Sequence, residues 1–440
     1  MASTGPSRAP RPARTDERHA PPGPFRRSFW RSPVRGVWLT AALSVVLLVG
    51  VTVVFVTGAL SYAAYDPGLG GTANDTTPDK GLLGFYLFTW PTGPTWLYRL
   101  TQGVHVTLGL VLIPVLLAKL WSVIPKLFEW PPTRSLAHAL ERLSLLLLVG
   151  GAVLEFGTGL LDIQLWYVFP VSFYPLHYYG AWVFIAAFVA HAALRMPRTV
   201  SALRSRRSGT PRTGPVASHP RPDTDGLAAT RPDPPTISRR GVLGLVGAGS
   251  LLVLALSVGQ SIGGRWRHTA LLAPRGGDGP GGPLDFPVNK TAAGVGVTAA
   301  QTGAGWRLEL RAGARSLRLS REALLAMPQQ VSWLPIACVE GWSTPDQRWS
   351  GIRLGDLARL VGAPQPDAVL IESLQSGGAF GHVRLAANQI ADPGSLLALR
   401  VNGRDLSLDH GFPARIIVPA APGVHNTKWV ARMVFEGGDR

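Results

Sequence analysis

The chain has 440 residues, of which 46% are hydrophobic and only 16% are charged, and its formal net charge is +17. This length allows two or three domains. The basic residues are concentrated in two stretches: residues 1–35 contain eight Arg, and residues 195–240 contain ten more. Each stretch lies beside a long apolar segment, as do the basic loops of membrane proteins on the cytoplasmic side. The sequence therefore favours membrane lipid over nucleic acid as a partner.

The apolar residues form runs long enough to cross a bilayer, which takes roughly 20 residues in a helix. Residues 1–35, rich in Arg, Pro and Ser, predict a disordered basic tail in the cytoplasm. The predicted spans are Val37–Leu60, Leu100–Trp121, Leu140–Leu161, Tyr178–Leu194 and Val242–Ile262. We therefore expect a four-helix membrane domain over residues 36–196, a cytoplasmic Arg/Pro-rich linker over 197–237 and a fifth transmembrane helix over 238–263.

Loop charges predict the orientation of these spans. Residues 61–98 contain one Lys and no Arg, and residues 161–176 contain no basic residue, whereas the loop after the second span and the 197–237 linker are basic. Because basic loops stay in the cytoplasm, both ends of the four-helix unit are expected there. The fifth span then delivers residues 264–440 to the outside. The predicted location is the cell membrane, with several spans and an extracytoplasmic C-terminal domain.

The fifth span begins with the twin arginines Arg239 and Arg240. Such a pair before an apolar run resembles the signal that sends folded proteins to a dedicated export machinery. The alternative is an ordinary basic flank on the cytoplasmic side. Export in the folded state suits a domain that receives a complex cofactor in the cytoplasm. Because the segment is internal, we expect it to remain as an anchor.

Four histidines lie in or near the predicted spans, where ionisable residues are usually functional. His177 and His191 are 14 residues apart on the fourth span, so they share a helix face and lie roughly 21 Å apart. His105 is expected at the level of His177, and His138 at the level of His191. The pairs could hold two haem b groups between helices. One haem, or histidines bonded to loops, are the alternatives.

This arrangement of histidines resembles bacterial cytochrome b membrane subunits. The resemblance covers residues 37–196. It implies that the helical region passes electrons between a quinone or quinol and an external partner.

The C-terminal region has the pattern of a separate mixed α/β domain. Ser320 precedes an apolar helical run and is a candidate N-terminal cap. Short alternating runs predict the strands Trp306–Leu310, Ser316–Leu319, Ala368–Glu372, Ala414–Val418 and Lys428–Phe435. The fold class is therefore an all-α transmembrane bundle of about five spans followed by a mixed α/β domain over 264–440.

Cys338 is the only cysteine of the chain, so no internal disulfide can form. A single thiol outside the cytoplasm is open to oxidation unless something occupies it. A metal is one such occupant, because a cysteine thiolate is a soft ligand. A buried apolar cysteine is the alternative, and spacing alone leaves both possibilities open.

Five separated segments carry a more specific resemblance: Ala337–Ser343, Trp349–Leu354, Val401–Gly403, His410–Arg415 and Asn426–Trp429. In this order and spacing they resemble the molybdopterin-binding domain of the sulfite oxidase family, over about residues 285–435. The resemblance implies that Cys338 is the catalytic centre's protein ligand to molybdenum, in a Mo-molybdopterin cofactor. This role would also explain a single exported thiol.

The same resemblance implies the residues that bind the cofactor. Its phosphate needs cations and N–H donors. The matching positions are Asn289, Lys290, Ser373, His410, Arg415, Asn426, Thr427 and Lys428. The match at Ser373 is the loosest, because sulfite oxidases often have Asp in this stretch and this chain has none from 373 to 375. Surface charges or turn residues are the alternative at each position.

The reaction is constrained by the residues after the cysteine. Sulfite is an anion that needs arginines facing the metal, and sulfite oxidases have an Arg pair here, where this chain has Gly341, Trp342 and Ser343. The run looks more like the periplasmic methionine sulfoxide reductase branch, although Ala337 stands where that branch often has Arg. Trp342, Arg348, His382 and His425 are candidates to line the substrate pocket, or else have structural roles.

The sequence therefore predicts a quinone-linked molybdenum oxidoreductase that transfers an oxygen atom from a small S-oxide or N-oxide substrate. The runner-up is an enzyme that oxidises sulfite or a related anion. A third possibility, from another class of protein, is a non-catalytic module for cofactor binding or assembly.

Overall fold

The computed structural model describes residues 19–65, 88–164, 166, 168, 173–204, 226–273, 286–377 and 380–437. Its N-terminal region is helical, with α1 Val37–Ala64, α2 Leu97–Leu127, α3 Leu136–Ile163, α4 Phe173–Arg204 and α5 Arg239–Ala255, followed by the short α6 Gly259–Ile262. Five helical segments, the last of them Arg239–Ile262, are long and apolar enough to cross a membrane. The prediction of five apolar helices is confirmed.

The long helices pack as antiparallel neighbours. A Cβ atom added to Gly50 in α1 would lie 2.6 Å from the Leu112 side chain in α2, so the glycine allows these helices to approach closely. Ser250 in α5 donates a hydrogen bond to the Val111 carbonyl in α2, at 2.8 Å. Thr40 contacts Ser122 and Thr57 contacts His105, so α1 and α2 are antiparallel, and the contacts Glu141–Arg195 and Thr158–His177 show the same for α3 and α4. The ends of α1, α3 and α5 and the starts of α2 and α4 therefore lie at the same end of the bundle. The C-terminal domain contacts this end.

Two boundaries differ from the prediction. The fourth helix continues through Pro197 to Arg204, beyond the expected end of the membrane domain at 196. The described part of the tail, residues 19–35, is not disordered: it forms two 3-10 helices, Gly23–Phe25 and Arg27–Phe29. The reason is that its aromatic residues have partners, since the Phe25 ring packs edge-on against Phe128, which follows α2, at 5.5 Å. Residues 1–18 and 205–225 lie outside the described residues.

The C-terminal domain is mixed α/β, as predicted. Its strands are β1 Arg307–Ala312, β2 Arg315–Ser320, β3 Gln330–Leu334, β4 Gln347–Arg353, β5 Ala368–Ser373, β6 His382–Ala386, β7 Leu396–Val401, β8 Arg404–Asp405, β9 Arg415–Ile417 and β10 Val430–Glu436. Its short helices are α7 Ala299–Thr302, α8 Arg321–Ala326, α9 Leu354–Leu360 and α10 Ala387–Ala391. The five strands predicted from sequence correspond to β1, β2, β5, β9 and β10, within two residues at each end. The Ser320 hydroxyl accepts from the Ala323 amide and caps α8, as expected.

The strands form two sheets. The first has the order β2-β1-β10-β5-β6, and the second has the order β3-β4-β7-β8, with β9 also paired to β7. The β1–β10 pair is parallel and the other pairs are antiparallel. One apolar core joins Leu308 and Leu310 of β1 to residues of α9 and of the second sheet. A second core surrounds Trp349 and includes Cys338. The sheets therefore hold the cysteine loop on a rigid base.

The first core predicts the effect of a truncation in β1. Leu310 is completely buried, so Leu310→Ala is expected to lower the free energy of unfolding by about 2–5 kcal/mol, through lost apolar contact and a cavity. Guanidinium unfolding of the full chain in detergent, followed by tryptophan fluorescence, measures this. The matched control is Leu360→Ala, because Leu360 is 47% exposed and its truncation is expected to cost about 0.5 kcal/mol or less. Equal losses in both variants would contradict the assignment of the core.

Candidate functional site

The loop between β3 and β4 presents Cys338 in a tight, hydrogen-bonded turn. The Cys338 amide donates to the Trp342 carbonyl at 2.9 Å, and the Gly341 amide donates to the Cys338 carbonyl at 3.0 Å. Gly341 has a φ of 88°, a left-handed conformation that favours glycine. Thr344 accepts from the Ile336 amide at 2.9 Å and closes the base of the loop. The backbone around the cysteine is thus fixed before any cofactor binds.

A cavity beside Cys338 brings together residues that are far apart in the sequence. Its walls include four predicted cofactor-binding residues and one predicted pocket residue, namely Asn289, His410, Arg415, Lys428 and Trp342. Because Cys338 lines the same cavity, a metal bound to its sulfur would be within reach of a group held by these side chains. Trp342 donates its indole N–H to the Glu340 carboxylate at 3.0 Å, which fixes the ring as an apolar wall.

Arg415 is the buried cation of this cavity, only 4% exposed. Its two terminal nitrogens donate to the carbonyls of His410 and Asn426, each at 3.0 Å. Its guanidinium also lies over the Trp349 ring, 5.3 Å from the centroid. Burial lowers the pKa of Arg415 to about 9, and its Nε has no hydrogen-bond partner among the described residues. A buried guanidinium with an unused N–H suits an anionic ligand such as a phosphate.

Two neighbouring side chains have unused polar atoms as well. Asn426 accepts from the Val418 amide at 2.9 Å through its Oδ1. Within the described part of the chain, Nδ2 of Asn426 and Oγ1 of Thr427 are buried without a partner. Buried polar groups in proteins are nearly always satisfied, so such a group of donors indicates a missing polar ligand. The residues present therefore fit a molybdopterin cofactor.

Lys428 links three parts of the cavity wall. Its ammonium donates to Asn289 Oδ1 at 3.1 Å, to the Lys290 carbonyl at 2.5 Å and to the Asp409 carbonyl at 3.0 Å. Lys290 contributes this carbonyl, while its own ammonium lies 5.4 Å from the centroid of the Phe380 ring. Lys428 thus fixes the chain at residues 289 and 290 against the loop that carries Asp409.

His410 is held in one orientation as a neutral ring. Its Nδ1 lies 2.7 Å from the Ser407 hydroxyl, and its Nε2 lies 3.1 Å from the Phe286 carbonyl. Burial first, and then the charge of Arg415, lower the pKa of His410 to about 4. Since a carbonyl can only accept, Nε2 carries the proton and donates, and Nδ1 accepts from the serine. The ring also packs against Phe286 at 4.2 Å.

Lys290, Asn426 and Thr427 lie next to the cavity without being part of its lining, and Ser373, Arg348 and His382 lie elsewhere. The Ser373 hydroxyl donates to the Lys428 carbonyl at 2.8 Å, because the pairing of β5 with β10 places it behind Lys428 and not in the cavity wall. Arg348 is exposed on β4, and His382 is half-buried on β6. His425, in contrast, is completely buried near the cavity, with its ring 6.0 Å from that of Tyr65 at the end of α1. Neither ring nitrogen of His425 has a partner among the described residues.

In the helical region, the structure brings His105 of α2 beside His177 of α4. Their ring centroids are 6.2 Å apart and their planes are at 89°. Nδ1 of His105 lies 2.9 Å from the Val54 carbonyl. Nδ1 of His177 lies 2.9 Å from the Thr158 hydroxyl and 3.3 Å from the Glu155 carboxylate. Metal-binding imidazoles are usually held through the second nitrogen in this way, which leaves Nε2 for the metal.

The space around this histidine pair is a cavity lined by all four of the helices α1 to α4. A Cβ added to Gly58 would lie 2.9 Å from His105 Cε1, and one added to Gly159 would lie 3.5 Å from His177 Cε1. Gly58 therefore provides room beside His105, whereas a Cβ at Gly159 would make only an ordinary contact with His177. Two imidazoles that bind one metal at about 2 Å each have ring centres roughly 6 Å apart. The observed spacing fits a haem iron with two histidine ligands.

The second predicted pair is not brought together. Arg195 of α4 forms an ion pair with Glu141 of α3 at 2.6 Å, and this contact indicates the register of the two antiparallel helices. Four residues before Arg195, His191 lies opposite about residue 145, whereas His138 lies on the other side of Glu141. The two histidines are therefore offset by roughly 10 Å along the helix axis. The sequence analysis placed His138 and His191 at one level by counting residues along each helix. It did not account for the register in which α3 packs against α4.

The sequence analysis also missed the residues that hold His177. Glu155 lies inside the predicted span Leu140–Leu161, yet it is 7% exposed and its carboxylate faces the imidazole. A carboxylate within a span usually has a partner and a function. Thr158, one turn further along α3, shares the same face. Because Glu155 and Thr158 are three residues apart, they lie on one helix face, and this spacing in the sequence could have indicated a polar site.

Comparison with known proteins concerns the C-terminal domain. The family described as oxidoreductase molybdopterin binding domain matches residues 295–439. The uncharacterized oxidoreductase YuiH of Bacillus subtilis is 32% identical over 117 residues, which cover 27% of this chain and 58% of that protein. Mitochondrial sulfite oxidase of Drosophila melanogaster is 31% identical over 154 residues, 29% of this chain and 27% of that protein.

Among solved structures, the sulfane dehydrogenase SoxCD of Paracoccus pantotrophus matches 30% of this chain and 38% of its own, with 22% identity and a TM-score of 0.27. The chain thus spans only about a quarter of the sulfite oxidase and just over half of YuiH. The family match and the two sequence relatives support a molybdopterin-binding domain of the sulfite oxidase family in the C-terminal part of the chain, and such a domain points to an oxidoreductase.

The buried histidines predict a loss of stability in acid. Burial lowers the pKa of His425 to about 4, below its ordinary value of about 6.5. The unfolded chain therefore binds a proton below about pH 6.5 that the folded chain takes up only near pH 4, so the free energy of unfolding falls as the pH falls through this window. His425→Gln is expected to flatten this dependence, measured as thermal midpoints from about pH 7.5 to 4.5. An unchanged slope, equal to that of the control His268→Gln at an exposed position, would contradict it.

Proposed function

We propose that the chain is a membrane-anchored molybdenum oxidoreductase that exchanges electrons with a quinone or quinol through haem b. The observation that carries this proposal is the gathering of Cys338, Asn289, His410, Arg415 and Lys428 around one cavity. The histidine pair in the helical region supports the haem. One haem, held by His105 and His177, is proposed, since His138 and His191 are out of register.

The residues of the cavity have distinct roles in this proposal. Bound through Cys338, the molybdenum cofactor supplies two-electron chemistry in which an oxygen atom is added or removed. Arg415 in the cavity wall, with Asn426 and Thr427 beside it, would bind its polar groups through the atoms that lack partners among the described residues. Lys428 and His410 orient the surrounding loops through the bonds described above. Trp342 excludes water from the side of the cavity next to the metal ligand.

The proposed location is the cell membrane, with the C-terminal domain outside. Supporting this, the basic residues Arg35, Lys126, Arg195 and Arg239 lie at the end of the bundle away from that domain, as expected for a cytoplasmic side. Arg239 donates to the Val34 and Arg35 carbonyls at 3.0 and 3.2 Å. The first of the twin arginines thus also has a structural role, next to its proposed role in export of the folded domain.

The proposed substrate is a small, neutral S-oxide or N-oxide. The two cations of the cavity, Arg415 and Lys428, already donate to backbone carbonyls. Trp342 adds an apolar wall near Cys338. Oxidation of a sulfite-like anion would need a cation directed at the substrate, which the residues after Cys338 do not supply. The YuiH and sulfite oxidase relatives leave the direction of the reaction to experiment.

The first test replaces the metal ligand. Cys338→Ser is expected to abolish dye-linked S-oxide reduction and to lower molybdenum content strongly, because the hydroxyl of serine is a much poorer soft-metal ligand than a thiolate. Molybdenum per chain is measured by elemental analysis of the purified membrane protein. Ser316→Ala on the exposed strand β2 is the control. Unchanged molybdenum and activity in the Cys338 variant would end the proposal.

The second test separates the two histidine pairs. His105→Leu and His177→Leu are each expected to remove the reduced-haem bands from the spectrum of the purified protein, since each removes an axial ligand. His138→Leu and His191→Leu serve as matched controls and are expected to retain the bands. Loss of haem in the controls but not in the first two variants would move the site to the other pair.

A further inference from the structure

The loop that carries Cys338 is bonded directly to the helical region. The Gln102 side chain of α2 donates to the Val339 carbonyl at 2.5 Å. Ser261 of α6 donates to the Gly341 carbonyl at 2.7 Å, and its own carbonyl accepts from the Ser343 hydroxyl at 2.5 Å. We define the interdomain contact as Gln102, Val106, Gln260 and Ser261 of the helical region together with Val339, Gly341 and Ser343 of the loop. It joins the end of the bundle to the loop of the predicted metal ligand.

The interdomain contact is tightly packed. A Cβ added to Gly341 would lie 2.7 Å from the Val106 side chain, and one added to Gly263 would lie 2.5 Å from the Ser343 carbonyl. Ser343 is 2% exposed and its amide donates to the Gln260 carbonyl at 2.9 Å. There is thus no room for a layer of water between the loop and the helices. The glycines are needed for the backbones to come this close.

A second attachment lies beside the first. The buried Trp90 donates its indole N–H to the Ala420 carbonyl at 2.8 Å and accepts from the Asn388 side chain at 2.8 Å. Trp90 also packs with Ala337 in one apolar cluster. Two separate attachments prevent the C-terminal domain from turning about either one. The domain is therefore held in a fixed position on the bundle.

The interdomain contact also links the two cavities. Val339 lines the cavity that contains His105 and His177, and Cys338 lines the cofactor cavity. These two residues are consecutive, so a wall residue of one cavity is joined by a single peptide bond to a wall residue of the other. Two neighbouring residues are the shortest covalent link that can join the walls of two cavities.

We propose that the interdomain contact is the electron path, in which the Cys338–Val339 backbone connects the histidine-held site to the molybdenum ligand without any movement of domains. This inference rests on the proposed function. A quinol gives up two electrons and two protons and becomes a quinone. The electrons pass singly across the contact, and together with two protons they convert one S-oxide to a sulfide and one water. Gln102 and Ser261 act as positioning residues, because they fix the Val339 and Gly341 carbonyls.

The test weakens the contact without touching either site's ligands. The variant is Ser261→Ala combined with Gln102→Ala, in the full-length protein with molybdenum and haem contents measured first. The matched control is Ser250→Ala, which removes a serine bond to a carbonyl of α2 in another part of the bundle. The haem is reduced chemically, mixed with dimethyl sulfoxide, and its reoxidation is followed by stopped-flow absorbance. Hydrogen exchange of residues 337–343 reports the contact independently of activity.

We expect reoxidation to slow by roughly tenfold in the double variant, because small misplacements of reacting groups are costly, while exchange at residues 337–343 becomes faster. S-oxide reduction driven by reduced dye is measured in the same double variant and is expected to slow less than haem reoxidation, because electrons from the dye do not cross the contact. Reoxidation as fast as in the control would overturn the electron path. Absence of haem or molybdenum in the wild-type protein would instead refute the proposed function.

Discussion

The turn around Cys338 is the constraint on which the rest of the site depends. Its two backbone hydrogen bonds, from Cys338 to Trp342 and from Gly341 to Cys338, place the sulfur toward the cofactor cavity and leave outward-facing carbonyls at Val339 and Gly341. Those carbonyls accept the bonds from the helical region. Without these two hydrogen bonds, neither the cofactor cavity nor the helical region would have a fixed group of the loop to contact. One short loop thus determines how the metal ligand and the helical bundle are related.

The cofactor cavity is stabilised by bonds among its own charged residues, and it keeps only a few polar atoms in reserve. Lys428 and His410 have protein partners for their side-chain nitrogens, so these loops can keep their shape in the absence of a ligand. Arg415, Asn426 and Thr427 each retain a buried atom without a partner among the described residues. Such atoms cost stability in the folded protein. A polar cofactor that formed hydrogen bonds with these atoms would restore the lost stability when it bound.

The helical region uses a similar arrangement with different groups. Gly58 leaves room beside the His105 imidazole, while Glu155, Thr158 and the Val54 carbonyl hold the second nitrogens of the two histidines. In apolar surroundings these polar contacts are needed, because an unpaired histidine or carboxylate is costly there. Held rings with a defined separation are the requirement for a metal that is bound from two sides.

The sequence by itself determined the five apolar helices, the mixed α/β class of the C-terminal domain and the positions of five strands. These features follow from local patterns: apolar runs, alternation and caps such as Ser320. The segment motifs also made Cys338, His410 and Arg415 candidates for one site, and these three residues line the same cavity. Only the tertiary structure decided which residues meet. Helix register separates His138 from His191, the β5–β10 pairing turns Ser373 away, and packing orders the tail around Phe25. It also brought Val339 to Gln102 and into the wall of the cavity that contains the histidine pair, because contacts between residues more than 200 positions apart depend on how complete elements pack.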